Sequence, residues 1–548
     1  MTTTVRWLSA PPAIGRGRLD EIARQAGLVP FDAAGTDLAV AVIWSADPTL
    51  KYDSVHRRST DETYLLQLGA TPDRLSGVTV TGSRGLRWAL ADLADRVRWG
   101  RWAPGDHTCG PAFAIRGVIE GFYGPPWTQE ARLDMVDFAS RHRFNTILYA
   151  PKNDPYIRQR WREPHDDENR QRLEEMIDLC RDRDLDTIVG VAPGLSMNYS
   201  GRRDTALLST KAAALVDLGA TRIALLLDDI PDRLQHPFDI HVFPDLATAQ
   251  ARAANQLQEV MPSDAPLVVC PTIYWGEGDE EYISRLADQL DPRIDLLWTG
   301  RAICSPAITA SEAAHFTRAT RRPPLYWDNY PVNDVAMRHE MHIGPYQNRD
   351  PLLDRFSQGV MANAMEYPEA SKIALATIGD YLWDPLTYHP DQSWLEAIAD
   401  VAGEADAAAV ATFADNVRAS CLSDPDPIRL TAALQRFAFE IQFGDAEAAG
   451  HQLSTFAEEL GAAADHLLGN TMENGTLQTE LRPWLTKFKL GAEAVSALAT
   501  HSTTSSMAAT GRELMTTFLI QLRNDPHRVF GDVLEMTIAE LITGSGAE

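Results

Sequence analysis

The residues in this sequence best suited to chemistry are two adjacent carboxylates, Asp228 and Asp229, which follow directly on the apolar run Leu225-Leu-Leu227. Alone, such a pair reads equally as a helix cap, a salt-bridged loop or a catalytic centre, because aspartate is common where a strand turns into a helix. Two carboxylates this close oppose each other's ionisation, so one of them is expected to hold a raised pKa and to serve as an acid. Glycoside hydrolysis needs such a donor for the leaving oxygen, together with a second group that stabilises developing positive charge. Magnesium binding is the competing chemistry. No further Asp/Glu/His cluster adjoins the pair and no phosphate-binding glycine loop is present, which disfavours it.

Similar polar endings recur along the chain. Glu120-Gly-Phe-Tyr-Gly124, Tyr149-Ala-Pro-Lys152-Asn153-Asp154, Cys270-Pro-Thr-Ile-Tyr274, Trp298-Thr-Gly300, Trp327-Asp-Asn329-Tyr330 with Asp334, and Asn363 each close a strand-like run. Singly, Lys152 reads as a surface lysine, Trp327 and Trp298 as core, and Gly121 and Gly124 as turn glycines. Their shared position at strand ends is what suggests a sugar site.

The elements that must position them are eight apolar, two-sided strands at 116–123, 146–150, 187–192, 222–227, 267–273, 295–299, 325–327 and 359–362, separated by amphipathic helices such as 129–142 and 169–183. This alternation predicts an α/β fold, a central (β/α)₈ barrel with its active site at the C-terminal ends of the strands. Strand-like runs at 37–44, 63–68 and 77–82, followed by helical spacing of Leu86, Leu90, Leu93 and Val97, make the region before it a small α+β domain. The stretch 107–113 reads as a linker. Beyond about 390, helices such as 407–417, 428–443 and 488–499 predict a helical bundle, with a loop at 500–506. The expected domains are therefore 1–112, 113–388 and 389–548.

Composition bounds the partners. Fifty basic against 76 acidic residues give a formal charge of −26, which argues against nucleic acid or an acidic membrane surface as the main partner. Five widely spaced cysteines, Cys109, Cys180, Cys270, Cys304 and Cys421, suggest neither a disulfide framework nor a zinc site and read as reduced thiols. The absence of an export-type N-terminus and of any run of 18 apolar residues points to a cytoplasmic protein.

At these motifs the sequence resembles glycoside hydrolase family 84, the O-GlcNAcase and so-called hyaluronidase family. Arg116-Gly-Val-Ile-Glu-Gly-Phe-Tyr-Gly-Pro-Pro-Trp127, Tyr149-Ala-Pro-Lys-Asn-Asp-Pro-Tyr156 with Trp161-Arg-Glu-Pro164, Ala192-Pro-Gly194, Leu227-Asp-Asp-Ile230, Trp298-Thr-Gly300 and Trp327-Asp-Asn-Tyr330 follow in the family's order. The resemblance implies a retaining exo-β-N-acetylglucosaminidase in which the sugar's own 2-acetamido oxygen attacks the anomeric carbon and forms an oxazoline. Asp228 would polarise the acetamido N–H, and Asp229 would protonate the leaving oxygen and then activate water. Lys152 and the Gly121 carbonyl would bind sugar hydroxyls, Tyr274 would bond near the reacting acetamido group, Trp327 would wall its methyl pocket, Asn329 would contact the acetamido region, and Asp334 with Asn363 would bind the far hydroxyls. No metal or organic cofactor is implied. The implied partner is a GlcNAc-containing glycoside or glycoprotein, and a homo-oligomer is left open.

Three departures bear on the substrate: Ile273 where the family usually has Glu, Val335 where Tyr often follows the sugar-binding Asp, and a proline- and histidine-rich stretch at 231–244. The alternatives are a hexosaminidase acting on cell-wall or chitin fragments and a sugar-binding scaffold without turnover.

Overall fold

The computed structural model describes residues 3–9, 14–30, 38–44, 61–263, 265–422, 427–469, 471–501 and 509–543. Its first layer is a six-stranded sheet of order β2-β1-β3-β5-β4-β6, made of β1 (Thr3–Ser9), β2 (Leu28–Pro30), β3 (Leu38–Trp44), β4 (Tyr64–Leu68), β5 (Leu75–Val80) and β6 (Gly105–Cys109). β3, β4 and β5 stand where three strands are expected, with Asp37 outside the described residues, β4 beginning at Tyr64 and β5 shifted two residues back to Leu75–Val80. The linker expectation at 107–113 is corrected: His107, Thr108 and Cys109 belong to β6, paired antiparallel with β4. As an edge strand with exposed Gly105 and Asp106, β6 is held by one ladder alone and needs no apolar alternation.

Eight parallel strands then close into a barrel in the order β10-β11-β12-β13-β14-β7-β8-β9. They are β7 (Ile115–Glu120), β8 (Thr146–Tyr149), β9 (Asp186–Val191), β10 (Arg222–Leu226), β11 (Val268–Cys270), β12 (Asp295–Trp298), β13 (Leu325–Asp328) and β14 (Gly359–Asn363). Alternate side chains fill the interior, among them Ile119, Leu148, Ile188, Leu226, Leu297 and Met361, while the other face packs on the helix ring. At the seam between β14 and β7, a Cβ on Gly359 would lie 2.2 Å from the Ile115 carbonyl oxygen, so only glycine lets the two strands approach there. Buried Arg116 donates to both oxygens of Glu62, tying the barrel floor to the small domain.

From Pro390–Ala402 to Val533–Thr543 the regular elements among the described residues are helices. The loop expected at 500–506 is corrected in its first two residues, since the helix Gly475–His501 continues through Thr500 and His501; the rest lies outside the described residues. These helices clasp the segment between β13 and β14: Trp484 Nε1 and the Arg528 amide donate to the His339 carbonyl at 2.9 and 2.8 Å, and Trp394 Nε1 donates to the Ile343 carbonyl at 2.6 Å. No helix among the described residues is long and apolar enough to cross a membrane.

Candidate active site

Strand alternation decides which of the polar endings face the barrel mouth. Along β10, Ala224 and Leu226 point inward and Leu225 and Leu227 outward, so the next residue, Asp228, turns into the mouth, where it is 9% exposed. Along β8, Leu148 and Ala150 point inward, and Lys152 follows in the same phase. The Lys152 ammonium forms a direct ion pair with Asp228 Oδ2 and lies 3.6 Å from Asp229 Oδ2. Asp229 leaves the strand with φ +53°, a left-handed conformation that most residues avoid and Asp tolerates.

The Asp229 carboxylate is held from two sides. Tyr123 Oη donates to Oδ2 at 2.7 Å and Tyr274 Oη to Oδ1 at 3.1 Å. Arg158 donates to Tyr123 Oη at 2.9 Å and to the Asp229 backbone carbonyl at 3.2 Å. The expectation that mutual repulsion would raise the pKa of one aspartate is not met by Asp229. Burial pushes its pKa up, but the Lys152 charge, the two tyrosine hydrogen bonds and Arg158 together hold it below the usual carboxylate value. Sequence adjacency showed the second negative charge. It could not show the ammonium that arrives from a strand 76 residues away.

Trp327 forms the opposite wall. Its ring lies 5.6 Å from the Lys152 ammonium and its Nε1 donates to Asn329 Oδ1 at 2.9 Å. Asn363 Nδ2 donates to the same oxygen at 3.0 Å, and Asn329 Nδ2 donates to the Ile303 carbonyl at 2.8 Å. This leaves Asn363 Oδ1 buried without a hydrogen-bond partner, an acceptor suited to a hydroxyl donor. Gly121 lies against the Trp327 face, where a Cβ would meet Trp327 Cζ2 at 2.6 Å. Asp334 Oδ2 accepts from the Tyr123 amide at 2.7 Å, and burial raises the Asp334 pKa.

The nine residues given site roles by the family resemblance thus fall in one network at the C-terminal mouth of the barrel. Two other strand-end carboxylates do not. Glu120 is gripped by Arg132 at 2.7 and 2.9 Å, and Asp328 by Arg349 at 2.8 and 2.9 Å. Both occupy the outward phase and serve as buried structural anions. Sequence reasoning missed Tyr123 and Arg158. Tyr123 stands inside the motif Glu120-Gly-Phe-Tyr-Gly124, whereas Arg158, in the loop beyond Lys152, carries no local signal. Among the described residues there is no group of three or more His, Cys, Asp or Glu placed to hold a metal ion. Around the mouth, Val335 is 67% exposed, and the 231–244 stretch forms a short helix, Pro237–Val242, with Phe238 72% exposed.

A family model described as beta-N-acetylglucosaminidase matches residues 116–415. The Protein O-GlcNAcases of Rattus norvegicus and Mus musculus are each 31% identical over 271 residues, which is 48% of this chain and 29% of theirs, so the chain matches less than a third of the length of these curated relatives. Among solved structures, an Asp-to-Asn mutant of the Thermobaculum terrenum O-GlcNAc hydrolase superposes with a TM-score of 0.75 at 32% identity, covering 79% of this chain and 95% of that one. CpGH84B superposes with a TM-score of 0.80 at 23% identity, covering 98% and 96%, a likeness of fold.

Proposed function

The chain belongs to the β-N-acetylglucosaminidase family of glycoside hydrolases, family 84, and from that premise we propose that it is a retaining exo-β-N-acetylglucosaminidase working by substrate assistance. The observation that carries the reading is the Asp228–Lys152–Asp229 cluster facing Trp327 and Tyr274 at the barrel mouth. A retaining glycosidase with an enzyme nucleophile places its two carboxyl groups on opposite faces of the sugar. Here the pair comes from consecutive residues of one strand end and shares one ammonium, an arrangement suited to serving a nucleophile that the substrate brings.

In this reading Asp228, paired with buried Lys152, accepts the acetamido N–H and directs the acetamido oxygen at the anomeric carbon. Asp229 delivers a proton to the leaving oxygen as the oxazoline forms, then takes one from water as it opens. Lys152 and the Gly121 carbonyl bind sugar hydroxyls, Tyr274 bonds near the acetamido group, and Trp327 with Asn329 walls the pocket. Asp334 and Asn363 take the far hydroxyls, the latter through its unpartnered oxygen. The substrate we propose is GlcNAc β-linked to a protein hydroxyl or to a small glycoconjugate. The proposal includes domains 1–112, 113–388 and 389–548 and a cytoplasmic location, supported by five cysteines that are all free thiols.

Turnover of 4-nitrophenyl β-GlcNAc, its β-GalNAc epimer, chitobiose and a GlcNAc-bearing peptide tests this. The GlcNAc aryl glycoside and the peptide are expected to be cleaved with retention, and an oxazoline mimic to inhibit. Preference for chitobiose over the peptide would move the substrate to chitin-like fragments, and no cleavage of any of the four would refute the enzyme reading.

A further inference from the structure

Arg158 is half-buried in the loop that follows β8, six residues beyond Lys152. Among the described residues no carboxylate oxygen forms an ion pair with Arg158. Its donors go instead to the Tyr123 hydroxyl at 2.9 Å and to the Asp229 backbone carbonyl at 3.2 Å, and the guanidinium lies 5.8 Å from the centre of the Tyr123 ring. Because Tyr123 Oη itself donates to Asp229 Oδ2 at 2.7 Å, Arg158, Tyr123 and Asp229 close a ring of hydrogen bonds. The ring grips Asp229 at both its carboxylate and its peptide oxygen.

The peptide contact falls on a residue at φ +53°. A left-handed conformation at a residue other than glycine persists where the surroundings over-determine it. The Arg158 donor satisfies the carbonyl that this turn directs away from the barrel ladder. Arg158 also adds positive charge near the carboxylate without being neutralised by a partner. The other titratable or charged groups facing Asp229 are Lys152 at 3.6 Å, its chain neighbour Asp228, Tyr123, Tyr274, Asp334 across the Tyr123 amide, and buried Cys270 below. Of these, Lys152 is paired directly with Asp228. Arg158 is therefore the cation whose contacts are devoted to Asp229 and to the tyrosine that serves it.

We infer that Arg158 is a positioning residue acting through Tyr123 and the Asp229 backbone: it fixes the left-handed turn that aims the Asp229 carboxyl and favours the carboxylate form that accepts the proton of water. The inference rests on the acid/base role proposed above for Asp229. As acid, Asp229 must be protonated, so the basic limb of the kcat/KM profile follows its ionisation in the free enzyme. Removing a nearby cation raises a carboxyl pKa, and that limb moves to higher pH.

Arg158→Gln and Arg158→Lys, each checked for an unchanged melting temperature, make the test. In Arg158→Gln the basic limb is expected to rise by about half a pH unit to one unit, and kcat to fall by about 10- to 100-fold with little change in KM. Arg158→Lys is expected to return the limb toward the wild-type position without restoring kcat, because an ammonium supplies the charge but not the two-pronged contact. An unmoved basic limb in Arg158→Gln, or a fall in kcat/KM carried by KM alone, would overturn the inference. Carbon-13 titration of carboxyl-labelled aspartates, with the Asp229 signal assigned by its loss in Asp229→Asn, reads the same shift without turnover. Failure of the hydrolase reading is thereby separated from failure of this one: an Asp229 signal that titrates identically in wild type and Arg158→Gln refutes the inference whether or not the protein cleaves a glycoside.

Discussion

Adding one methyl group at Gly121 is the sharpest probe of the sugar pocket. The new Cβ would lie 2.6 Å from Trp327 Cζ2, 2.8 Å from Cη2 and 2.8 Å from Ile119 Cγ2, against an ordinary carbon–carbon contact of about 3.5–4.0 Å. Gly121 does not occupy the left-handed region, so the effect of Gly121→Ala is steric rather than conformational. Ile119 is fully buried inside the barrel, which leaves the indole to retreat by about 1 Å to restore contact. That motion pulls Nε1 from Asn329 Oδ1, now 2.9 Å away, and Asn329 also takes the Asn363 amide. Overpacking costs about 1–3 kcal/mol, and a displacement of about 1 Å at a reacting site can cost about 100-fold in rate. The expected outcome is a 10- to 100-fold fall in kcat/KM on 4-nitrophenyl β-GlcNAc, with a lowered melting temperature. The fall is expected to be equal for good and poor leaving groups, because the wall touches the sugar and not the aglycone. A Gly121→Ala enzyme with unchanged kcat/KM, or one impaired only on poor leaving groups, would refute the packing argument.

Other outcomes follow from the same geometry. Asp229→Asn is expected to abolish cleavage of glycosides with poor leaving groups while sparing activated aryl glycosides, since protonation matters less when departure is easy; equal loss on both would remove Asp229 from the acid role. Arg349→Met strands the fully buried Asp328 carboxylate and is expected to destabilise the fold by about 3–5 kcal/mol, measured by urea unfolding. The neighbouring Cys304 thiol, 117 positions away in the sequence, and burial push the Cys421 thiol pKa up, and the Cys421 sulfur donates to the Asn329 carbonyl at 3.6 Å. Diamide is expected to join these two thiols in preference to any other pair, seen as one cross-linked peptide in a non-reducing digest, and random or absent cross-linking would contradict their contact.

The barrel was legible because each of its strands is buried on both faces and so appears as an unbroken apolar run, such as Ile223-Ala-Leu-Leu-Leu227. The small domain was less so: β1, β2 and β6 are short or polar edge-side strands whose pairing is set by neighbours far along the chain. Strand ends announced where the site lies but not which phase each polar residue takes. Glu120 and Asp228 look alike in sequence, yet one faces Arg132 and the other Lys152. The electrostatics were the least legible part. Whether Asp229 is pushed toward acid or carboxylate depends on Lys152, Tyr123, Tyr274 and Arg158, delivered by three other strands and brought together only by barrel closure.

The clasp on the segment between β13 and β14 bears on what counts as the smallest working enzyme. That segment carries Asp334, and its His339 and Ile343 carbonyls take their hydrogen bonds from Trp484, Arg528 and Trp394. A chain ended at the barrel's last helix would keep every residue of the site and lose all three of these donors. The helical region is thus the outer half of the Asp334 support, and a barrel trimmed of it would be complete in its list of active-site residues and incomplete as a binding site.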